Sequence, residues 1–320
     1  MWTEVTAVVL SALLTLAVRQ YARRKNVMDH PNERSSHERP TPHGGGIAIL
    51  GALFCVLFWE FAHGNVDTAL FGALLCAVPI AIVSLVDDLR PLSACLRLGV
   101  QGMSALAALI LLGGVGAFSI GGNLIEGVWL NIIAMLMLLW MTNLYNFLDG
   151  IDGYAGSEAV FVGVAAYLLF GNGIGLLIAA AALGFLVFNW HKASIFMGDV
   201  GSAPLGFIFA VLALHDAATP GFIGWLVLLS LFWFDATVTL WRRWRNGERL
   251  SQAHKKHAYQ RLHQAGWPHD RIVIAGMGLN AILFALLWLF GQEHYGFVFL
   301  AAIALLWLAM KYVDRQKAFS

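Results

Sequence analysis

The sequence predicts an all-α, polytopic transmembrane bundle of about eleven helices (about ten to eleven), with a periplasmic amino terminus and its polar surface on the cytosolic face. Three observations predict this class. Of 320 residues, 59% are hydrophobic and 12% charged, where soluble domains carry about 25% charged residues. Apolar runs of about 15–20 residues recur along the whole chain without period-two alternation, which favours helices over a barrel. Threading those runs through a bilayer also sorts the basic residues to one side.

The runs lie near 5–21, 44–62, 68–86, 96–114, 127–143, 156–171, 173–188, 203–217, 220–240, 271–290 and 295–312. The first is preceded by Glu4 and followed by Arg19, Arg23, Arg24 and Lys25. A signal peptide has the reverse polarity, so the segment reads as an uncleaved first helix with its start outside. One side of the membrane then receives 22–43, 87–95, 144–155, 189–202, 241–270 and the carboxy-terminal tail. The other receives short links near 63–67, 115–126, 172, 215–220 and 291–295. All 20 Lys and Arg fall on the first side or at its helix ends.

Residues 1–320 therefore form a single integral-membrane domain, without an internal repeat or a soluble module. A net charge of +1 points to no partner, and nucleic acid is not expected. Cys55, Cys76 and Cys95 lie in or beside apolar runs and read as buried small hydrophobes, with no disulfide framework and no zinc site. Trp241, Trp244 and Trp267 read as interface anchors.

Five polar segments share the cytosolic side. Val86-Asp87-Asp88-Leu89-Arg90 ends a run; adjacent carboxylates there are either a hydrated helix end or a metal or phosphate site. In the block from Asn143 to Gly153, Asn146, Asp149 and Asp152 recur every three residues, which would place them on one face of a helix. Phe196-Met197-Gly198-Asp199-Val200-Gly201-Ser202 sets a carboxylate between glycines before a helix start. That arrangement suits a metal bridging phosphate oxygens, with free N–H groups for an anion. The stretch from Arg242 to Arg261 contains His254-Lys255-Lys256-His257, which lacks two further zinc ligands and otherwise supplies cations for a pyrophosphate. Asp29-His30-Pro31, Arg34-Ser35-Ser36-His37 and Pro40-Thr41-Pro42-His43-Gly44-Gly45-Gly46 make a shaped loop.

In this order and topology the five segments resemble the polyprenyl-phosphate N-acetylhexosamine-1-phosphate transferases, over nearly the whole chain. The resemblance implies transfer of a sugar 1-phosphate from a UDP-N-acetylhexosamine to undecaprenyl phosphate, with release of UMP, in the bacterial inner membrane. It implies Mg²⁺ (with Mn²⁺ as a substitute) on Asp199, with Asn146 as second ligand. It implies Phe196 stacked on uracil, Asn189 and Asp152 lining the nucleoside pocket, and Asp149 as a further substrate-binding residue. Asp87 and Asp88 match the catalytic acidic pair near the lipid phosphate. Arg97 stands where many members carry a cation, and His254 and His257 match a cytosolic histidine motif. Arg97 and His254 are expected to help neutralise phosphate charge. The motif here is His-Lys-Lys-His followed by Ala258-Tyr259-Gln260, not three consecutive histidines. That argues against the muramyl-pentapeptide substrate and resembles the branch that starts O-antigen and other surface polysaccharides. A homodimer is a further expectation. The competing readings are an intramembrane prenyltransferase, which would want DxxxD-type pairs, and a transporter, which would place its charges near the midplane.

Overall fold

The computed structural model describes residues 2–31, 36, 39–120, 123–250, 252 and 254–319. Arg34, Ser35 and His37 of the shaped loop lie outside the described residues. In chain order the elements are α1 (Trp2–Lys25), β1 (Met28–Asp29), β2 (Thr41–Pro42), α2 (Gly46–Ala62), α3 (Thr68–Leu75), α4 (Ala77–Leu89) and α5 (Ala94–Leu111). A hairpin of β3 (Ala117–Ile120) and β4 (Asn123–Glu126) precedes α6 (Leu130–Phe147), α7 (Tyr154–Phe170), α8 (Gly173–Asn189) and α9 (Asp199–His215). Then come α10 (Gly221–Leu228), α11 (Ser230–Arg245), α12 (Ala258–Gln264), α13 (His269–Phe290) and α14 (Tyr295–Gln316).

Every expected apolar run is helical, and the chain is a multi-pass helical membrane protein. Among the described residues, six helices are long and apolar enough to cross a membrane, counting α3 and α4 together. The short break between those two lies just ahead of Pro79, whose ring clashes with the carbonyl four residues back. The pair α10–α11, bent by 66°, makes a seventh where the two are counted as one span. No proline or glycine sits at that bend. Instead Ser230 Oγ donates to the Val227 carbonyl (2.7 Å) and Trp233 Nε1 to the Leu226 carbonyl (2.7 Å). Those side chains satisfy the carbonyls that an unbroken helix would have paired.

The remaining apolar helices, α2, α7, α8 and α9, have 17 residues each. That is about 25 Å of helix against a hydrocarbon core of about 30 Å. Their location explains the shortness. Each side chain of α9 from Val200 to Leu214 is buried, against α6, α4 and α2. A helix apolar on all sides belongs at the centre of such a bundle. Likewise α8 is held between α7 and α1. The cysteine expectation is partly corrected: all three are free thiols, but Cys55 and Cys95 face outward. An apolar run is equally suited to lipid and to protein neighbours, so hydropathy did not separate the two.

The two ends of the bundle match the threading. At the end without Lys or Arg, the Ser119 N–H donates to the Ala217 carbonyl (2.8 Å) and Trp225 Nε1 to Asp216 (2.7 Å). At the basic end, segments far apart in sequence meet, and the site is built there.

Candidate functional site

The foundation is a backbone zipper between residues 42–46 and 196–197. The Phe196 N–H donates to Pro42 O (2.8 Å), Gly45 N–H to Phe196 O (2.9 Å) and Gly46 N–H to Met197 O (2.8 Å). Contact this close needs a residue without a side chain. A Cβ on Gly46 would lie 2.2 Å from Gly201 Cα. The glycine run of the shaped loop thus holds the Phe196–Asp199 segment in place. Gly198, at φ +77°, then turns the chain into α9, so that Asp199 opens that helix.

The acidic pair approaches from α4. Asp88 accepts hydrogen bonds from the Asp199 and Val200 N–H groups, both at 3.3 Å. It occupies the free donors of the α9 amino terminus. Asp87 points the other way and accepts from the Leu92 N–H (2.7 Å) and from Arg97 Nη1 (2.6 Å). The same Arg97 nitrogen lies 3.9 Å from Asp199 Oδ2. Asn146, on α6, hydrogen-bonds the Asp199 carboxylate and accepts from Ser202 Oγ (2.6 Å).

Asn146, Asp149 and Asp152 do not share a helical face, which corrects that expectation. Helix α6 ends at Phe147, and residues 148–153 form a turn closed by Gly153 at φ +74°. The glycine conformation cannot continue a right-handed helix. The turn still sends Asp149 and Asp152 to a common cavity of about 450 Å³, which Asp88, Asp199, Phe196 and Asn189 also line. Burial, then the charges of Asp199, Asp88 and Asp152, pushes the Asp149 carboxyl well above the usual carboxylate range. Asp152 behaves oppositely. Burial alone would raise it, but His269, the Ala193 N–H and His191 together hold it below the usual range. Asn189 secures the turn: its Oδ1 accepts from the Gly153 N–H (3.1 Å) and its Nδ2 donates to Ile195 O (3.0 Å).

The cavity brings together the carboxyl groups of Asp88, Asp149 and Asp199, with His43 on its wall and the amide of Asn146 bonded to Asp199. Arg97 gives its closest contact to Asp87, so the converging negative charge is incompletely compensated. Hard oxygen donors with uncompensated charge fit Mg²⁺ or Mn²⁺.

His254 and His257 are not among the residues lining this cavity. They sit behind it, in a segment tied to the turn by Tyr259, whose hydroxyl donates to Phe147 O (3.1 Å). Burial first, then His257 and Arg243, holds His254 down at about 4, so the imidazole is neutral at pH 7. Its Nδ1 accepts the Lys256 N–H (3.2 Å). His257 is buried 3.7 Å from Asp235, which also accepts the Ala258 N–H at 2.9 Å and so fastens the segment to α11.

Several cavity residues were not assigned from sequence. His43 and Gln260 line it, although both lie in motifs already noted. Burial keeps His43 below the usual histidine range despite Asp29 and Asp199 nearby. His191 and His269 bracket Asp152 from 39 and 117 residues away, a juxtaposition no local pattern announces.

Fold and site together define a class: a multi-pass helical membrane protein with an oxygen-rich acidic cavity at the basic end of its bundle. Comparison with known proteins narrows it. The family described as Glycosyl transferase family 4 matches residues 70–216. A probable undecaprenyl-phosphate N-acetylglucosaminyl 1-phosphate transferase of Bacillus subtilis is 29% identical, over 82% of this chain and 76% of its own length. A decaprenyl-phosphate N-acetylglucosaminephosphotransferase of Mycobacterium tuberculosis is also 29% identical, over 84% and 77%. A phospho-N-acetylmuramoyl-pentapeptide-transferase of Moorella thermoacetica is 32% identical, over 66% and 72%. The chain belongs to this family, the polyprenyl-phosphate hexosamine-1-phosphate transferases.

Proposed function

We propose that the protein transfers an N-acetylhexosamine 1-phosphate from a UDP-sugar to undecaprenyl phosphate, releasing UMP, with the basic end of the bundle facing the cytosol of a bacterial inner membrane. The observation that carries this reading is the convergence of Asp88, Asp149, Asp152 and Asp199 on one cavity at the bundle end, beside Phe196. A nucleotide sugar arrives from water and a polyprenyl chain from lipid, and both can reach that boundary.

In the reaction, an oxygen of the lipid phosphate bonds to the β-phosphorus of the donor. The bond from that phosphorus to the bridging oxygen breaks, and UMP leaves with the electron pair. A phosphate monoester has its second pKa near 6, so the nucleophile is mostly dianionic at pH 7 and needs no strong base. Mg²⁺ held by Asp199 and Asn146 would supply charge neutralisation at the phosphate oxygens. Arg97, held by Asp87, presents its guanidinium 3.9 Å from Asp199 and favours the same anionic groups. Asp87 therefore acts by orienting Arg97, while Asp88 holds the start of α9 in place. Phe196 offers a face for the uracil, and Asp149 and Asp152 line the donor's path. His254 and His257 shape the cavity wall through the Tyr259 anchor. The His-Lys-Lys-His form favours an amino-sugar donor of the surface-polysaccharide branch, including 6-deoxy sugars, over the muramyl pentapeptide.

The test incubates purified protein with undecaprenyl phosphate, Mg²⁺ and a panel of UDP-N-acetylhexosamines, and scores UMP. Lipid-dependent UMP from one donor is expected. Folded protein that releases none from any donor, beside a working control enzyme, would overturn the reading.

A further inference from the structure

Asp152 is the meeting point of two imidazoles. His191 Nδ1 lies 3.0 Å from Asp152 Oδ2, and His269 Nδ1 lies 3.3 Å from the same oxygen. One ligand atom from each of the three residues falls within 4.8 Å of the other two. Asp152 and His269 are buried, and His191 is half-buried. The Nδ1 of His269 also lies 3.3 Å from the Asp152 N–H, and Asp152 Oδ2 also takes the Ala193 N–H at 3.2 Å. Two imidazoles and a carboxylate thus converge on one largely buried point.

The spacing suits a metal ion. Tetrahedral zinc has bonds of about 2.0–2.1 Å to nitrogen and oxygen, which puts neighbouring ligand atoms about 3.3 Å apart. A third imidazole is at hand. His263 Nδ1 faces the Trp267 carbonyl at 3.1 Å and must donate to it, leaving the lone pair on Nε2. Its ring centroid is 4.7 Å from that of His269, and both rings line a second cavity of about 750 Å³. The ligand chemistry differs from that at Asp199. Imidazole nitrogens favour Zn²⁺ and its neighbours, whereas carboxylate oxygens favour Mg²⁺.

We propose that Asp152, His191 and His269 form a second cation site, selective for Zn²⁺ over Mg²⁺, with His263 beside its open position. The site goes beyond the transferase reading. Its ligands bring the turn after α6, the segment after α8 and the start of α13 onto one ion, which fixes the wall shared by the two cavities.

The experiment uses the full chain in detergent, stripped with a chelator, supplied with Zn²⁺ in excess Mg²⁺ and desalted. Metal analysis is expected to find about one zinc retained per chain, and X-ray absorption a shell containing imidazole nitrogen. His191→Gln and His269→Gln keep polar side chains but remove good zinc ligands; each is expected to lose the zinc. Asp199→Asn is expected to keep it, which separates this site from the catalytic cation. Three results would overturn the proposal: no zinc retained by folded wild-type protein, retention by the double glutamine variant, or an absorption shell of oxygen alone. The wild-type spectrum decides the matter even if the variants fold poorly. Donor turnover is not the readout, so failure here leaves the transferase reading standing.

Discussion

The acidic cavity and the segment from Arg242 to Gln264 lie at the same end of the bundle and handle charge in opposite ways. In the cavity, Asp88, Asp149 and Asp199 converge, and the nearby guanidinium of Arg97 is already held by Asp87. In the other segment four cations are paired with carboxylates. Arg243 and Lys256 share Glu248 at 3.0 and 2.9 Å, and Arg242 and Arg261 share Asp314 at 2.8 and 2.7 Å. The Phe319 ring packs against the guanidinium groups of Arg242 and Arg261. Even His254 stays neutral. On the proposed function, the first region receives a cation and a polyanion. The second is prepared to keep its shape, and its histidines serve as walls.

This contrast can be broken from either side. The largest effect should come from the cavity: Asp199→Asn is expected to lower turnover by about 10²- to 10³-fold while the protein stays folded, the several kcal/mol that a bound metal contributes to charge stabilisation. Chelation of wild-type protein should produce the same loss, restored by Mg²⁺ or Mn²⁺; steady-state UMP release measures both. Next is the zipper beneath the cavity. Gly46→Ala forces a methyl group against Gly201, and is expected to destabilise the fold by about 1–3 kcal/mol with a parallel fall in activity. Thermal unfolding in detergent reads the first part.

In the paired region, Asp314→Asn should leave the buried Arg261 guanidinium without its carboxylate. The expected cost is about 2–3 kcal/mol of stability, with a smaller change in turnover than at Asp199. The smallest effect concerns His254. Its folded-state value of about 4 lies below the usual 6.5, so protonation opposes folding. Its contribution is complete above pH 6.5 and is lost as pH falls toward 4. Replacing it by Gln should flatten the acid-side decline in thermal stability by about 1 kcal/mol, after allowance for solvent screening, and leave the pH–rate profile between pH 6 and 8 unchanged. An inflection in that profile that disappears with His254 would show a working cation there and erase the contrast.

How far these features were legible differs from residue to residue. Apolar runs and the distribution of Lys and Arg announced the helices and the two ends of the bundle. The bend at Leu229 was hidden, because its carbonyls are capped by Ser230 and Trp233, ordinary residues for an apolar helix. The burial of α9 was hidden too, since the same side chains suit lipid. In the site, Asp88, Asp149, Asp152 and Asp199 were each visible as carboxylates at membrane boundaries, where charge is costly without a purpose. Their helical register was misread at the glycines that end α6. The protonation of His254 depends on the burial and charge that folding creates, and the pairing of Asp152 with His191 and His269 depends on long-range contact. Neither is written in any local spacing.

The central claim is that the cavity at the start of α9 takes a divalent cation together with a diphosphate. Electron paramagnetic resonance of Mn²⁺, titrated into purified protein with and without UDP, tests it most directly. Wild-type protein should bind Mn²⁺ more tightly when UDP is present, and Asp199→Asn should lose most of that binding. Equal Mn²⁺ binding by wild type and Asp199→Asn, unaffected by UDP, would contradict the account.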